Sequence, residues 1–142
     1  MSSLTLDLHN RARLSQTLTD DVWVVACLCA AWCDVCSQYR PGFDNLAAQH
    51  PDKIFVWVDV EDHADVVGDL DVENFPTLLI QRGDTVAFFG TVQPDPRQAN
   101  RLLLAQVEKD TAELHAEAHS STAREGWQRD CNLRLRLNEA GG

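Results

Sequence analysis

An uninterrupted apolar segment leads directly into a pair of cysteines, and this junction constrains the fold more than any other part of the chain. Residues 22–29 read Val-Trp-Val-Val-Ala-Cys-Leu-Cys, without the polar alternation of a half-exposed strand. The segment therefore predicts a central strand that is buried on both faces. Trp32-Cys33-Asp34-Val35-Cys36 follows it, and the pattern is helical from Cys33 to about His50. The junction thus predicts a buried strand that delivers two cysteines to the start of a helix.

The rest of the chain alternates between helical and strand patterns. The sequence predicts a helix within residues 4–18, strands at 54–60, 77–81 and 85–89, a short acidic helix at 61–70, and a long helix at about 97–118. Pro41 is expected to kink the helix after the cysteines or to end its first half. Crossovers between strands favour parallel pairing, and the 77–89 hairpin adds an antiparallel pair. We therefore expect an α/β fold with a mixed central sheet of four to five strands and helices on both faces.

The composition narrows the class of function. A chain of 142 residues with 44% hydrophobic residues is long enough to form one domain with a substantial core. Its formal net charge of −10 disfavours binding to a nucleic-acid backbone. The N-terminus has no signal-peptide pattern, and no apolar run is long enough to span a bilayer. We therefore expect a cytoplasmic protein that binds neither nucleic acid nor membrane, while its oligomeric state stays undetermined.

The cysteines carry the most specific chemical signal. Five cysteines in a reducing compartment indicate metal binding or catalytic thiol chemistry rather than a framework of structural disulfides. Cys33 is expected at the helix N-terminus, where partial positive charge stabilises a thiolate. Cys36 lies one turn further along and is expected to be buried within reach of Cys33. These positions predict Cys33 as the attacking nucleophile and Cys36 as the resolving thiol of disulfide exchange.

The cysteines and histidines do not form the pattern of a zinc site. Structural zinc needs four ligands, and the chain has neither a second Cys-x-x-Cys nor a Cys/His pair at finger spacing, so we expect no metal. Cys27 and Cys29 lie on one face of a strand and are interpreted as small buried hydrophobic residues. Cys131 is expected to be the freer thiol. The five histidines show no ligand spacing and are expected at the surface.

A second motif makes the assignment more specific. The chain resembles the thioredoxin family over about residues 5–118, because Ala30, Trp32, Cys33, Cys36 and Pro41 are followed by Phe75-Pro76-Thr77 and by Gly83 and Gly90. The resemblance implies a thioredoxin fold and a cis proline at Pro76 beside the active cysteines. It also implies disulfide exchange with protein substrates, an external reductase and no bound cofactor. The implied substrate groove is bordered by Trp32, Asp34, Val35, Phe75, Pro76 and Thr77.

The chain also departs from the thioredoxin pattern. Asp34-Val35 replaces the usual Gly-Pro between the cysteines, so the reducing potential of a typical thioredoxin does not carry over. Cys27 and Trp57 occupy the positions of the family's buried aspartate and its lysine partner. Both members of a costly buried ion pair are therefore replaced together by apolar residues. Cys36 then has no evident general base, with Asp59 as a possible substitute, and we expect slower exchange or a specialised partner. The alternative function is a thioredoxin-fold binding or chaperone module with little redox turnover.

The sequence suggests a boundary near residue 118. Residues 1–118 are predicted to form the thioredoxin-like domain and residues 119–142 a C-terminal extension that is partly flexible or packs on an edge or a partner. Leu133-Arg134-Leu135-Arg136-Leu137 alternates with period two, which predicts an edge strand or a short arm. The three leucines are expected to cover either an edge of their own domain or a second subunit.

Overall fold

The fold is built on one mixed sheet. The computed structural model describes residues 3–67, 70, 72 and 74–140 of the chain. The strands are β1 (Leu4–Thr5), β2 (Trp23–Cys29), β3 (Ile54–Asp59), β4 (Thr77–Arg82) and β5 (Thr85–Thr91). They lie in the order β1-β3-β2-β4-β5. β3 pairs in parallel with β1 and β2, and β4 pairs antiparallel with β2 and β5. The predicted α/β fold with a mixed sheet is confirmed.

Helices cover both faces of this sheet. They are α1 (Arg11–Thr17), α2 (Asp34–Gln49), α3 (Ala64–Val67), α4 (Pro96–Val107), α5 (Thr111–Ala118), α6 (Thr122–Asp130) and α7 (Leu133–Glu139). α2 continues through Pro41, so Pro41 does not end the first half of the helix, and the kink expected there stays a prediction. The predicted acidic helix at 61–70 is reduced to α3, and two of its residues, 68 and 69, lie outside the described residues. None of the described helices is long and apolar enough to cross a bilayer.

Two predicted helices are divided differently in the structure. The N-terminal helix begins only at Arg11, because residues 4–5 add an edge strand to β3. The predicted helix at 97–118 is two helices, α4 and α5. Asp110 starts the second one, since its carboxylate accepts the backbone N–H of Glu113 while the Glu113 side chain accepts the N–H of Asp110. This capping box satisfies free amides at the start of a new helix and favours a second helix over continuation of α4.

The side chains of β2 divide the core into two layers. Alternate residues of a strand point to opposite faces. The odd-numbered residues from Val25 to Cys29 pack with α2, α4 and α5, whereas the even-numbered ones from Val24 to Leu28 pack with α1, α3 and α7. Burial on both faces explains the apolar run and confirms that β2 is a central strand. It also places Cys27 and Cys29 on the α2 face.

The C-terminal residues differ most from the prediction. The alternating leucines belong to α7 and not to a strand. Leu133 and Leu137 are four residues apart, on one side of the helix, and are 2% and 0% exposed in the second core layer, whereas Leu135 is 43% exposed. The extension therefore packs on a face of its own sheet.

Polar contacts attach this extension to the β4–β5 hairpin. Gln81 is fully buried in β4. Its amide donates to Asn132 Oδ1 at 2.8 Å, and its oxygen accepts the N–H of Leu133 at 2.9 Å. Gln128 of α6 pairs with the backbone of Val86, accepting its N–H at 2.7 Å and donating to its carbonyl at 2.8 Å. The side chain of Gln128 thus covers part of the edge strand β5.

One histidine contradicts the expected surface location. His63 is 3% exposed. Its Nδ1 lies 2.6 Å from the guanidinium of Arg11, and its Nε2 lies 2.7 Å from the carbonyl oxygen of Leu6. Arg11 also pairs with Asp65 at 2.7 Å. The cluster joins α1 to α3, so His63 has a structural role that its spacing in the sequence did not indicate.

Candidate active site

Cys33 lies where the end of β2 is joined to α2. It is the N-cap residue of the helix and has an extended backbone. Its N–H donates to the carbonyl oxygen of Ala30 at 3.0 Å, and its own carbonyl accepts the N–H of Ser37 at 3.2 Å. No side-chain hydrogen bond caps the helix, so the first amides of α2 have no side-chain partner beside the cysteine. A helix N-terminus of this kind favours negative charge at the residue that begins it.

Cys36 lies one turn into α2 and is 1% exposed, whereas Cys33 is partly exposed. In the structure, Cys36 forms a disulfide with Cys29, and their Cα atoms are 5.9 Å apart. Cys33 is a free thiol in this state. Cys29 is buried, as the sequence suggested, but it is a disulfide partner and not only a small hydrophobic residue, because it ends β2 on the face that α2 covers. The exchange roles of Cys33 and Cys36 stay predictions.

Three of the predicted groove residues lie on two loops: Trp32 on the loop before α2, called the cysteine loop, and Phe75 and Pro76 on the loop before β4, called the proline loop. Trp32 and Phe75 bring their rings edge to face with centroids 5.8 Å apart, although Trp32 is 68% exposed. The Phe75–Pro76 peptide bond is cis, and the Pro76 carbonyl accepts the N–H of Val92 at 3.0 Å. The structure thus places an exposed aromatic ring of the cysteine loop against the proline loop.

The other three predicted groove residues have different surroundings. Asp34 and Val35 are exposed in the first turn of α2. Thr77 is 2% exposed, and its hydroxyl donates to the carbonyl oxygen of Asn74 at 2.7 Å. Asp34 and Val35 are therefore accessible to a substrate, whereas the Thr77 side chain holds the proline loop in place.

The two positions that lack the family's buried charges face each other. Cys27 and Trp57 are partners in the β2–β3 register. Burial raises the pKa of the Cys27 thiol, and the positive charge of Arg40 opposes that rise. The Arg40 guanidinium lies 4.8 Å from the centroid of the Trp57 ring. No pattern in the sequence indicated this cation–π contact, because Arg40 lies on α2 and Trp57 on β3.

Asp59, the proposed substitute base, is engaged by backbone amides. Its Oδ2 accepts the N–H of Ala31 at 2.9 Å. Its Oδ1 accepts the N–H groups of Glu61 at 2.9 Å and Asp62 at 3.1 Å. The carboxylate therefore ties the loop before Trp32 to the end of β3, which gives Asp59 a positioning role.

Cys131 is not the freer thiol that the sequence suggested. It lies in the C-terminal extension and is 6% exposed, and burial raises its pKa to about 11. Cys33 is the one free cysteine of the described residues that is not buried. Within that same part of the chain, no group of three or more His, Cys, Asp or Glu residues is arranged to hold a metal ion.

Comparisons with known proteins agree with this geometry. The protein-family model described as Thioredoxin matches residues 6–102. The protein called thioredoxin 2 of Streptomyces coelicolor is 31% identical over 116 residues, which cover 76% of this chain and 86% of the relative. Human thioredoxin is 31% identical over 80 residues, which cover 56% of this chain and 76% of the relative.

Solved structures show the same fold. A poplar thioredoxin h matches 78% of this chain and 100% of its own, with a TM-score of 0.66 and 18% identity. A thioredoxin from Nicotiana alata matches 74% and 94%, with a TM-score of 0.64 and 22% identity. The fold, the two cysteines at the start of α2 and the match to the family model lead to one assignment. The chain belongs to the thioredoxin family and is a thiol–disulfide oxidoreductase.

Proposed function

We propose that this oxidoreductase exchanges disulfides with protein substrates, with Cys33 as the nucleophile and Cys36 as the resolving thiol. One observation carries the proposal. A partly exposed free thiol begins a 16-residue helix, and the buried Cys36 one turn into that helix can form disulfides, since it is bonded to Cys29 in the structure. Accessibility suits Cys33 for attack on a second molecule, while burial restricts Cys36 to sulfurs within the site.

The exchange proceeds in two steps. The Cys33 thiolate attacks one sulfur of a substrate disulfide, forming a mixed disulfide and releasing the other substrate sulfur as a thiolate. The Cys36 thiolate then attacks the Cys33 sulfur and releases the first substrate sulfur. The substrate gains two electrons, and the two cysteines lose two. An external reductase returns these electrons, and we place the protein in the cytoplasm, where thiols are kept reduced.

The loops beside Cys33 support a protein substrate. Trp32 offers a largely exposed ring held against Phe75, and Val35 is 40% exposed on the first turn of α2. Exposed apolar side chains around a reactive thiol suit an extended polypeptide segment better than a small charged thiol. The acidic chain further favours substrates with a basic surface near their disulfide.

Trapping with Cys36→Ser tests the proposed roles. Without the resolving thiol, the mixed disulfide on Cys33 should persist, so the variant should accumulate disulfide-linked protein adducts that dithiothreitol releases. The double variant Cys33→Ser/Cys36→Ser should form none. Cys131→Ser is the matched control for a cysteine outside the site, and it should leave the wild-type pattern unchanged.

Reduction of insulin disulfides tests turnover. The wild type should reduce insulin, and Cys33→Ser should not. If Cys36→Ser traps no partner and the wild type does not reduce insulin, the exchange mechanism is wrong. Peptide binding without turnover would then support the binding or chaperone module.

A further inference from the structure

The Cys29–Cys36 bond involves a cysteine outside the Cys-x-x-Cys pair. Cys29 is the last residue of β2, and Cys36 lies in the first turn of α2. Both are 1% exposed and belong to the same core layer. Cys33 lies on the short link between these two elements and packs against that layer. Three cysteines therefore lie at one strand-to-helix junction, where Cys36 is bonded to Cys29 and is the proposed resolving partner of Cys33.

We propose that Cys29 is a third redox-active thiol of this site and competes with Cys33 for the sulfur of Cys36. The proposal rests on the function proposed above, because that exchange first oxidises the Cys33–Cys36 pair. It adds that the disulfide then moves inward. Cys29 is suited to this role because its sulfur is bonded to that of Cys36 in the structure, whereas the sulfur of its neighbour Cys27 lies 3.8 Å away.

The inward step is an intramolecular exchange that needs no additional oxidant. The Cys29 thiolate attacks the Cys36 sulfur of the Cys33–Cys36 disulfide. A Cys29–Cys36 bond forms, the Cys33–Cys36 bond breaks, and Cys33 leaves as a thiolate. The proton released by Cys29 is balanced by the proton that Cys33 takes up when its thiolate is neutralised. The oxidation state of the protein does not change.

The shift has a functional consequence for the oxidised protein. When the disulfide joins Cys29 to Cys36, Cys33 is again a free and partly exposed thiol, as the structure shows. Such a molecule can open a further substrate disulfide, but Cys36 is occupied and cannot release the product. The two-electron-oxidised protein therefore captures a partner covalently at Cys33, whereas the reduced protein releases it.

The position of the disulfide can be read from peptides. Protein oxidised with glutathione disulfide is quenched in acid, which stops exchange, and is then unfolded at mildly acidic pH in denaturant that contains N-ethylmaleimide. The buried thiols of Cys27 and Cys131 are thereby blocked together with the exposed one before digestion with chymotrypsin. Cleavage after Trp32 separates Cys29 from Cys33 and Cys36, and cleavage after Tyr39 releases residues 33–39. A Cys29–Cys36 bond gives two cross-linked peptides with maleimide on Cys33. A Cys33–Cys36 bond gives one peptide with an internal loop.

We expect the cross-linked peptides from the majority of oxidised wild-type molecules. Cys29→Ala should give only the internal loop. Cys27→Ala is the matched control, because it removes a buried thiol from the same strand face, and it should keep the cross-link. An oxidised wild type with only the internal loop would overturn the role of Cys29 and leave the proposed exchange intact. Oxidised protein with no disulfide at Cys36 would overturn both.

Discussion

At the level of single residues, Cys33 and Cys131 differ in how far their thiols are exposed to solvent. Cys33 begins a helix at the surface, whereas Cys131 follows α6 and is 6% exposed. Burial raises the pKa of Cys131 to about 11, which outweighs the opposing effect of the Arg136 charge. Of these two thiols, Cys33 is therefore the one that reagents in solution can reach.

The first prediction concerns alkylation of the reduced protein. A thiol with a pKa of about 11 is ionised in roughly one molecule in a thousand at pH 8. Iodoacetamide at pH 8 should therefore label Cys33 and leave Cys131 almost unmodified, and labelling of Cys131 should increase about tenfold per pH unit. Mass spectrometry of the digested protein measures both rates. Equal rates at pH 8 would contradict the burial of Cys131, provided that circular dichroism shows a folded chain.

The Cys27–Trp57 pair leads to the second prediction. These residues face each other on adjacent strands, at the positions where thioredoxins carry a buried aspartate and lysine. An aspartate paired with a lysine can take the proton of Cys36, and a positioned base contributes about a hundredfold or more in rate. Cys27→Asp/Trp57→Lys should therefore reduce insulin disulfides at least about tenfold faster than the wild type.

Cys27→Asp alone is the control for this prediction. It places an unpaired carboxyl in the core and should cost stability without the full gain in rate. If neither variant gains rate, while urea unfolding shows that both are folded, then the absence of a base does not limit exchange in this protein.

At the scale of elements, the C-terminal helix shows how one pattern supports two structures. Leucines at 133, 135 and 137 satisfy strand alternation, but residues 133 and 137 also lie on one side of a helix. The contacts of Gln81 with Asn132 and Leu133 begin the helix at the β4–β5 hairpin. The strand prediction failed because these partners are about fifty residues away in the sequence.

The third prediction tests this packing. Leu137→Ala removes a fully buried side chain from the second core layer and should lower the free energy of unfolding by about 2–5 kcal/mol. Leu135→Ala, on the exposed side of the same helix, should change it by no more than about 0.5 kcal/mol. Urea denaturation measures both. Equal effects would mean that α7 does not pack as described.

At the scale of the whole molecule, acidic residues dominate the charge but several are held by arginines. Hydrogen bonds from Arg11 lower the pKa of Asp65, and hydrogen bonds from Arg97 lower the pKa of Asp95. A carboxyl with a lowered pKa in the folded state binds fewer protons than in the unfolded chain. Its contribution to stability is therefore present above the unfolded pKa and lost as the pH falls through the folded pKa.

The fourth prediction follows from the direction in which stability changes with pH. The urea midpoint should be stable from pH 7 to about pH 5 and then decrease as the pH falls below about 4. Asp65→Asn should reduce this dependence, and Asp62→Asn, at a nearby exposed position, is the control. High salt should weaken the effect, since exposed ion pairs are screened. A midpoint that does not change down to pH 2.5 would contradict the role of these carboxylates.

Much of the site could be predicted from the sequence because its signals are local. The apolar run at 22–29 indicates burial on both faces, and the following helical pattern places Cys33 at a helix N-terminus, as the structure confirms. The resemblance carried by Phe75-Pro76-Thr77 implied the cis proline, which is also observed. The environments of Thr77 and Asp59 were not predictable, because they depend on hydrogen bonds to particular loop amides and carbonyls.

The fold class, the family and the pair of cysteines at the start of α2 could be predicted from the sequence, because each depends on short patterns and their order. The partner of Cys36 and the location of the C-terminal extension became clear only from the packing of distant segments. Cys29 faces α2 because β3 and β4 hold β2 in one register and orientation. Those pairings join residues 23–29 to residues 54–59 and 77–82, and no pattern within the cysteine segment specifies them. The role of Cys33 could thus be predicted from its neighbours in the sequence, whereas the disulfide partner of Cys36 depends on long-range packing.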